Sequence, residues 1–290
     1  MGTGAVSVQF GAALATRLFS RVGPAGAVAL RLCTAALALV ALTVLARPRS
    51  ARPRGAPGGA RVADVAVATA FGLVLACMNL SFYEAIARVP LGVAVTIEFS
   101  GPLAVALAGS RRLADGLWAV AAGVGVALLA TGAASHLDLG GVGFALLAGA
   151  FWAAYILLSR ETGRRFESLN GLAWAMSVGA LVVLVPGAFS GGWALLRPSV
   201  LALGAAVGVL SSVVPYSLEL MALRRATPRA FGVMASLDPA LATAAGLLVL
   251  GQHLDLAEWA ALALVAGANL GNSLTAAARG RVPVTATVPE

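Results

Sequence analysis

The chain has 290 residues, 60% of them hydrophobic and 11% charged, with a mean hydropathy of +0.91. That much apolar surface excludes a soluble globular domain and requires a polytopic helical membrane protein, with apolar runs of about 20 residues separated by short polar loops. The net charge of +8 rests on 20 arginines against 12 acids, with no lysine; because those arginines sit between apolar runs, the positive-inside rule accounts for them and a nucleic-acid partner is excluded.

The first predicted span, 2–16, is the shortest: its length as a helix is about 22 Å, against about 30 Å of hydrocarbon. Extending it to Phe19 puts Arg17 inside, where the side chain must snorkel. The run lacks the charged leader and cleavage site of a signal peptide, and its shortness predicts native residues upstream of Met1. The second span, 25–46, carries Arg31. The loop 47–63 is rich in Pro, Gly and Arg and reads as a flexible connection. Spans three to five are predicted at 64–87, 90–109 and 114–134, followed by a Gly-rich turn with His136 and Asp138. Spans six to ten are predicted at 140–159, 170–188, 199–221, 230–250 and 257–278, with a charged loop at 160–167. The tail 279–290 has two prolines and no apolar face, so it reads as disordered.

Cys33 and Cys77 each lie inside an apolar run and read as small packing residues, neither a disulfide nor a metal site. His136 and His253 each stand two residues before an aspartate in an outer turn. That spacing is too sparse for a metal centre, and no metal or cofactor is expected.

Arginine counting sets the orientation. Arg47, Arg49, Arg52, Arg54, Arg61, Arg111, Arg112, Arg160, Arg164, Arg165, Arg224, Arg225, Arg229, Arg279 and Arg281 follow even-numbered spans, against Arg17, Arg21, Arg88 and Arg197 after odd-numbered ones. Both termini are therefore expected in the cytoplasm. Five spans per half is an odd number, so the second half enters the membrane inverted relative to the first. The expected architecture is all-α: ten transmembrane helices in two inverted five-helix repeats, 1–135 and 140–278, with a cytoplasmic tail from 279.

Two stretches repeat one order of features. In 82–109, FYEAIARVPLGVAVTIEFSGPLAVALAG, a helix end with an acid leads through an arginine–proline turn to a second helix bearing Glu98 and Pro102. In 219–251, ELMALRRATPRAFGVMASLDPALATAAGLLVLG, the same order ends in Asp238 and Pro239. A carboxylate at membrane depth costs about 2.5–3.5 kcal/mol on insertion scales. A proline there also frees a backbone carbonyl that needs another partner. Matching interrupted helices in the two halves point to a transporter's binding site.

Four acids are read as lying within spans, Glu84, Glu98, Glu219 and Asp238, against one arginine, Arg31. They cannot all be paired, and an acid able to be neutral or charged at the midplane is what proton coupling requires. Glu84, four residues before Arg88, fits an interfacial ion pair as well as a gate; Glu219, near Arg224 and Arg225, fits the same two readings. Glu98 and Asp238 fit either helix-break caps or protonation sites. Arg31 fits either a structural ion pair or a docking point for a substrate carboxylate. Asn79, Asn269, Tyr83, Trp152, Tyr155 and Tyr216 can line a cavity, though packing explains each singly. Gly204-x-x-x-Gly208 and Gly267-x-x-x-Gly271 predict close helix approach. No phosphate-cradling loop, metal-ligand cluster or nucleophile elbow stands in the sequence, so an enzyme is not expected.

The segments RVPLGVAVTIEFSGPLAVAL at 88–107 and VPYSLELMALRRATPRAFGVMASLDPALA at 214–242 closely resemble the EamA family of the drug/metabolite transporter superfamily, in particular its threonine/homoserine exporter branch. GAALATRLF at 11–19, GPAGAVALRL at 23–32 and FWAAYILLSR at 151–160 are similar too. The resemblance implies ten helices in two inverted repeats in a bacterial inner membrane, and proton-driven efflux of small amino acids such as threonine or homoserine. The partners it implies are such a substrate, protons and the lipid bilayer, with a homodimer left open; the alternative is the same machine exporting a purine, a sugar derivative or a toxic compound. LGQHL at 250–254 departs from the family in having Gln252 where Glu is common, and the role of that acid is expected to be lost.

Overall fold

A backbone in lipid must satisfy its own hydrogen bonds, so apolar runs of this length fold as helices. The computed structural model describes residues 2–45, 62–108, 113–130, 138–166, 170–215 and 238–278, and every regular element among them is helical. In chain order these are α1 (Gly2–Leu45), α2 (Val62–Ile86), α3 (Leu91–Glu98), α4 (Ser100–Ala108), α5 (Leu113–Ala130), α6 (Leu139–Arg165) and α7 (Asn170–Gly191). A 3-10 turn (Gly192–Leu196), α8 (Pro198–Gly208), a π-helical segment (Val209–Val213), α9 (Asp238–Leu250) and α10 (Leu256–Ala278) follow. Among the described residues, Gly4–Leu45, Val62–Ile86, Leu139–Arg165 and Asn170–Leu196 are each long and apolar enough to cross a membrane. Shorter apolar helices cover Leu91–Val105, Gly116–Leu128, Pro198–Val213 and Asp238–Leu250.

α1 contains the first two expected spans in series. Gly23 breaks it with φ 67 and ψ 172, a left-handed conformation that glycine adopts without a Cβ penalty, and Pro24 opens the second part. The first part therefore reaches Val22, beyond the expected end at Thr16 or Phe19. Its 21 or so residues rise about 31 Å, enough to span, and Arg17 and Arg21 are exposed near its end. The fourth expected span is split at Phe99 into α3 and α4. Pro102 is the cause: without an N–H it leaves the carbonyl four residues back, on Glu98, without its helical donor. The interruption thus falls beside the acid.

α1 packs on α7, α8, α9 and the π segment, α2 on α6 and α7, α3 on α6 and α9, α4 on α6, and α5 on α10. Small residues permit these contacts. A Cβ at Gly72 would meet Val178 at 2.8 Å, one at Gly204 would meet Leu30 at 2.7 Å, and one at Gly208 would meet Thr34 at 2.6 Å. The first glycine pair thus behaves as expected. In the second pair Gly271 meets the Trp118 ring, whereas Gly267 has no neighbour within 4 Å. The interior is alanine-rich, while Leu37, Leu181, Phe189 and Trp193 are 65–88% exposed. Apolar side chains on the outside as well as the inside are what a lipid solvent allows.

Polar groups are confined mainly to the helix ends. Arg165 joins Asp64 at 2.9 Å and Glu161 at 2.7 Å, tying α6 to the start of α2. Asp255 and Glu258 form a reciprocal capping box on α10: the Glu258 N–H donates to Asp255 Oδ1 at 2.7 Å, and the Asp255 N–H donates to Glu258 Oε2 at 2.8 Å. The loop 47–61, the turn with His136, Tyr216, Glu219, Arg224, Arg225 and Arg229, the first part of the ninth span and the tail lie outside the described residues.

Candidate functional site

Arg31 is half-buried in the second part of α1, and among the described residues no carboxylate stands within ion-pair distance of it. Its guanidinium is held instead by neutral groups from two other elements. Nη2 donates to the Ser211 carbonyl at 3.2 Å, Nε to Ser212 Oγ at 3.5 Å, and Nη1 to Tyr83 Oη at 3.4 Å. The guanidinium carbon also lies 5.6 Å from the centroid of the Tyr83 ring, an arrangement in which the ring face attracts the cation. Tyr83 is completely buried, with Phe19 packed 5.7 Å away between ring centroids.

The Ser211 carbonyl is available for a local reason. In a regular helix it would accept from residue 215, but that residue is Pro215, which has no N–H. The backbone widens into the π segment, in which the Val214 N–H reaches back to the Val209 carbonyl. Such single-turn widenings recur at functional sites. The neighbouring Leu210 carbonyl accepts from Ser7 Oγ at 2.7 Å, so both parts of α1 hold this segment. Ser211 Oγ and Gln9 Oε1 are buried without hydrogen-bond partners.

Glu98 closes α3 and is 9% exposed, and the charges that act on it are those of Arg31 and Asp238. Asp238 stands in the first turn of α9, where the helix dipole favours a carboxylate. Arg31 and Asp238 thus both lie within electrostatic reach of Glu98, which brings three helices to one region, with Tyr83 bonded to Arg31. Pro239 is buried beside Asp238, and its carbonyl accepts from Thr243 Oγ1 at 2.8 Å. The helices carrying the two acids meet closely: a Cβ at Gly92 would strike Thr243.

The other candidates stand apart or serve packing. Glu84 pairs with Arg88, which also lies 3.7 Å from Asp138 and stacks on Phe144, so the interfacial reading of Glu84 describes its contacts. Asn79 donates to Leu75 O at 2.8 Å and Asn269 to Val265 O at 3.0 Å, each within its own helix. Trp152 makes an edge contact with Phe99, 4.8 Å between centroids, and Tyr155 packs 5.1 Å from Phe71. Among the described residues no three His, Cys, Asp or Glu groups could share a metal ion.

Ser211, Ser212 and Gln252 were not expected at such positions. The signal for the serines was Pro215, four residues after an otherwise ordinary Ser211. Gln252 has a structural part: its Oε1 accepts the Leu91 N–H at 3.0 Å and so caps α3 from the α9–α10 turn. An amide oxygen performs that capping as a carboxylate would.

A model of the EamA-like transporter family matches residues 139–274. The threonine/homoserine exporter RhtA of Salmonella typhimurium (strain LT2) is 44% identical over 275 residues, covering 93% of this chain and 88% of that protein. The chain belongs to the EamA-like transporter family. The threonine/homoserine exporter RhtA of Escherichia coli (strain K12) is 42% identical over 271 residues, with the same coverage. A solved crystal structure, 20% identical and covering 96% of both chains, superposes with a TM-score of 0.59, which shows a shared fold. This EamA protein is thus a multi-pass membrane transporter.

Proposed function

We propose that this EamA transporter exports threonine and homoserine across the bacterial inner membrane, in exchange for protons. The observation that carries the reading is the 42–44% identity, over 93% of the chain, to exporters named for those two amino acids. The site chemistry agrees with it. Arg31 offers a cation without a carboxylate partner to the substrate carboxylate, and Glu98 and Asp238 are the protonation sites. Pro102 and Pro239 shape the backbone at those acids, and Glu84 and Glu219 assist at the two gates.

The same reading places ten helices in two inverted repeats, 1–135 and 140–278, with both termini in the cytoplasm. Helix pairing supports it: α1 with α7, α3 with α9 and α5 with α10 unite elements at equivalent places in the two halves, as a pseudo-two-fold axis in the membrane plane requires. The fifteen-to-four arginine distribution supports the orientation. Relatives named as exporters fit a protein that is not an enzyme.

The test is counterflow in proteoliposomes with labelled threonine and homoserine, with and without a pH gradient. Exchange of either amino acid, accelerated by the gradient, is expected. Glu98→Gln and Asp238→Asn should each lose most of the gradient-driven flux at unchanged protein yield. Full flux in both variants would remove the proton coupling; exchange of a purine or sugar derivative in place of both amino acids would reassign the substrate.

A further inference from the structure

Arg31 lies within electrostatic reach of Glu98, yet among the described residues it forms no ion pair with a carboxylate. An arginine in a low-dielectric interior close enough to act on Glu98 should collapse onto an acid unless something holds it elsewhere. Three neutral acceptors do so from two elements, and they grip different nitrogens. The Ser211 carbonyl takes Nη2, Ser212 Oγ takes Nε, and Tyr83 Oη takes Nη1 while its ring lies under the guanidinium. Ser212 is 1% exposed and Tyr83 is completely buried, so water does not replace these groups. The bonds are long, 3.2–3.5 Å, compared with about 2.7–2.9 Å for a guanidinium on a carboxylate. A neutral, long-bonded cradle fixes the direction of the cation without discharging it.

We propose that Ser212 and Tyr83 are positioning residues for substrate binding, holding the Arg31 guanidinium off Glu98 so that a substrate carboxylate can take it. The π segment is the part of the fold that makes this work. Pro215 frees the Ser211 carbonyl, and the widened turn presents that carbonyl and the Ser212 hydroxyl together to one guanidinium. Neither serine touches the substrate in this scheme; both act through Arg31. The inference rests on the amino-acid exporter reading above and deepens it by naming what keeps the carboxylate site open.

The experiment uses the full chain in proteoliposomes, with labelled L-threonine as the probe and L-threoninamide, which lacks the carboxylate, as a competitor. Ser212→Ala and Tyr83→Phe remove one hydroxyl each with little change in shape. Each is expected to raise KM for threonine about tenfold while Vmax falls less than about threefold, the split that marks lost binding rather than lost turnover. The preference for threonine over threoninamide as a competitor should fall by about the same factor, because only the carboxylate-bearing ligand uses Arg31. A purely structural role would weaken both ligands alike, and that outcome overturns the proposal. An unchanged KM in both variants, with wild-type exchange intact, overturns this proposal alone. A wild-type protein that exchanges neither threonine nor homoserine overturns the exporter reading and this inference with it.

Discussion

Gly101→Ala tests how closely the interrupted helix approaches its neighbour. A Cβ at Gly101 would land on the carbonyl oxygen of Gly149, with the Gly149 carbonyl carbon at 2.6 Å and its Cα at 3.0 Å. The obstacle is backbone, which cannot rotate aside. The approach is mutual, since a Cβ at Gly149 would meet the Glu98 carbonyl oxygen at 2.7 Å. Overpacking of this kind costs about 1–3 kcal/mol, and the severity of the overlap puts it in the upper part of that range. Alanine returns at most about 1 kcal/mol through its higher helix propensity. The net expectation is a loss of about 1–2 kcal/mol, with α4 pushed from α6 and Glu98 displaced. Gly123→Ala on α5 is the matched control, because nothing lies within 4 Å of the position its Cβ would take. Thermal unfolding of the purified protein in detergent should show Gly101→Ala melting several degrees below the wild type and Gly123→Ala melting level with it or above. A Gly101→Ala protein as stable as the wild type would refute the backbone-to-backbone contact.

Other consequences can be checked with standard measurements. Gln252→Ala should cost about 0.5–2 kcal/mol in the same melting assay, since the Leu91 N–H loses its cap. Gln252→Glu should keep that stability, because a carboxylate at a helix N-terminus accepts the same bond and suits the dipole. A reporter enzyme fused at Arg281 should be active in the cytoplasm, and an external signal would overturn the orientation drawn from the arginines. The gradient-driven flux of Glu98→Gln and Asp238→Asn decides whether those acids carry protons.

Much of this protein could be read from residue order, because a bilayer is an unforgiving solvent. It admits only helices and makes every buried acid costly, so spans and interruptions leave marks in composition and spacing. Glu98 beside Pro102 was legible for that reason, as was the pairing of Glu84 with Arg88. The first helix was read too short because Arg17 looked like a boundary; an exposed arginine near a helix end extends to the interface without ending the helix.

Arg31 shows where such reading stops. A single arginine in an apolar run announces a polar site, but one-dimensional order cannot say whether an acid or a set of neutral hydroxyls receives it. Ser212 is 181 positions away in sequence and Tyr83 is 52 away, and no local rule links them. Their meeting depends on how α1, α2 and the π segment pack, and packing is settled by long-range shape: glycines at Gly204 and Gly208 that admit Leu30 and Thr34, and a proline that leaves one carbonyl in need of a donor. Solvent dictates the helices, whereas the partner of a buried charge is chosen by which surfaces fit together.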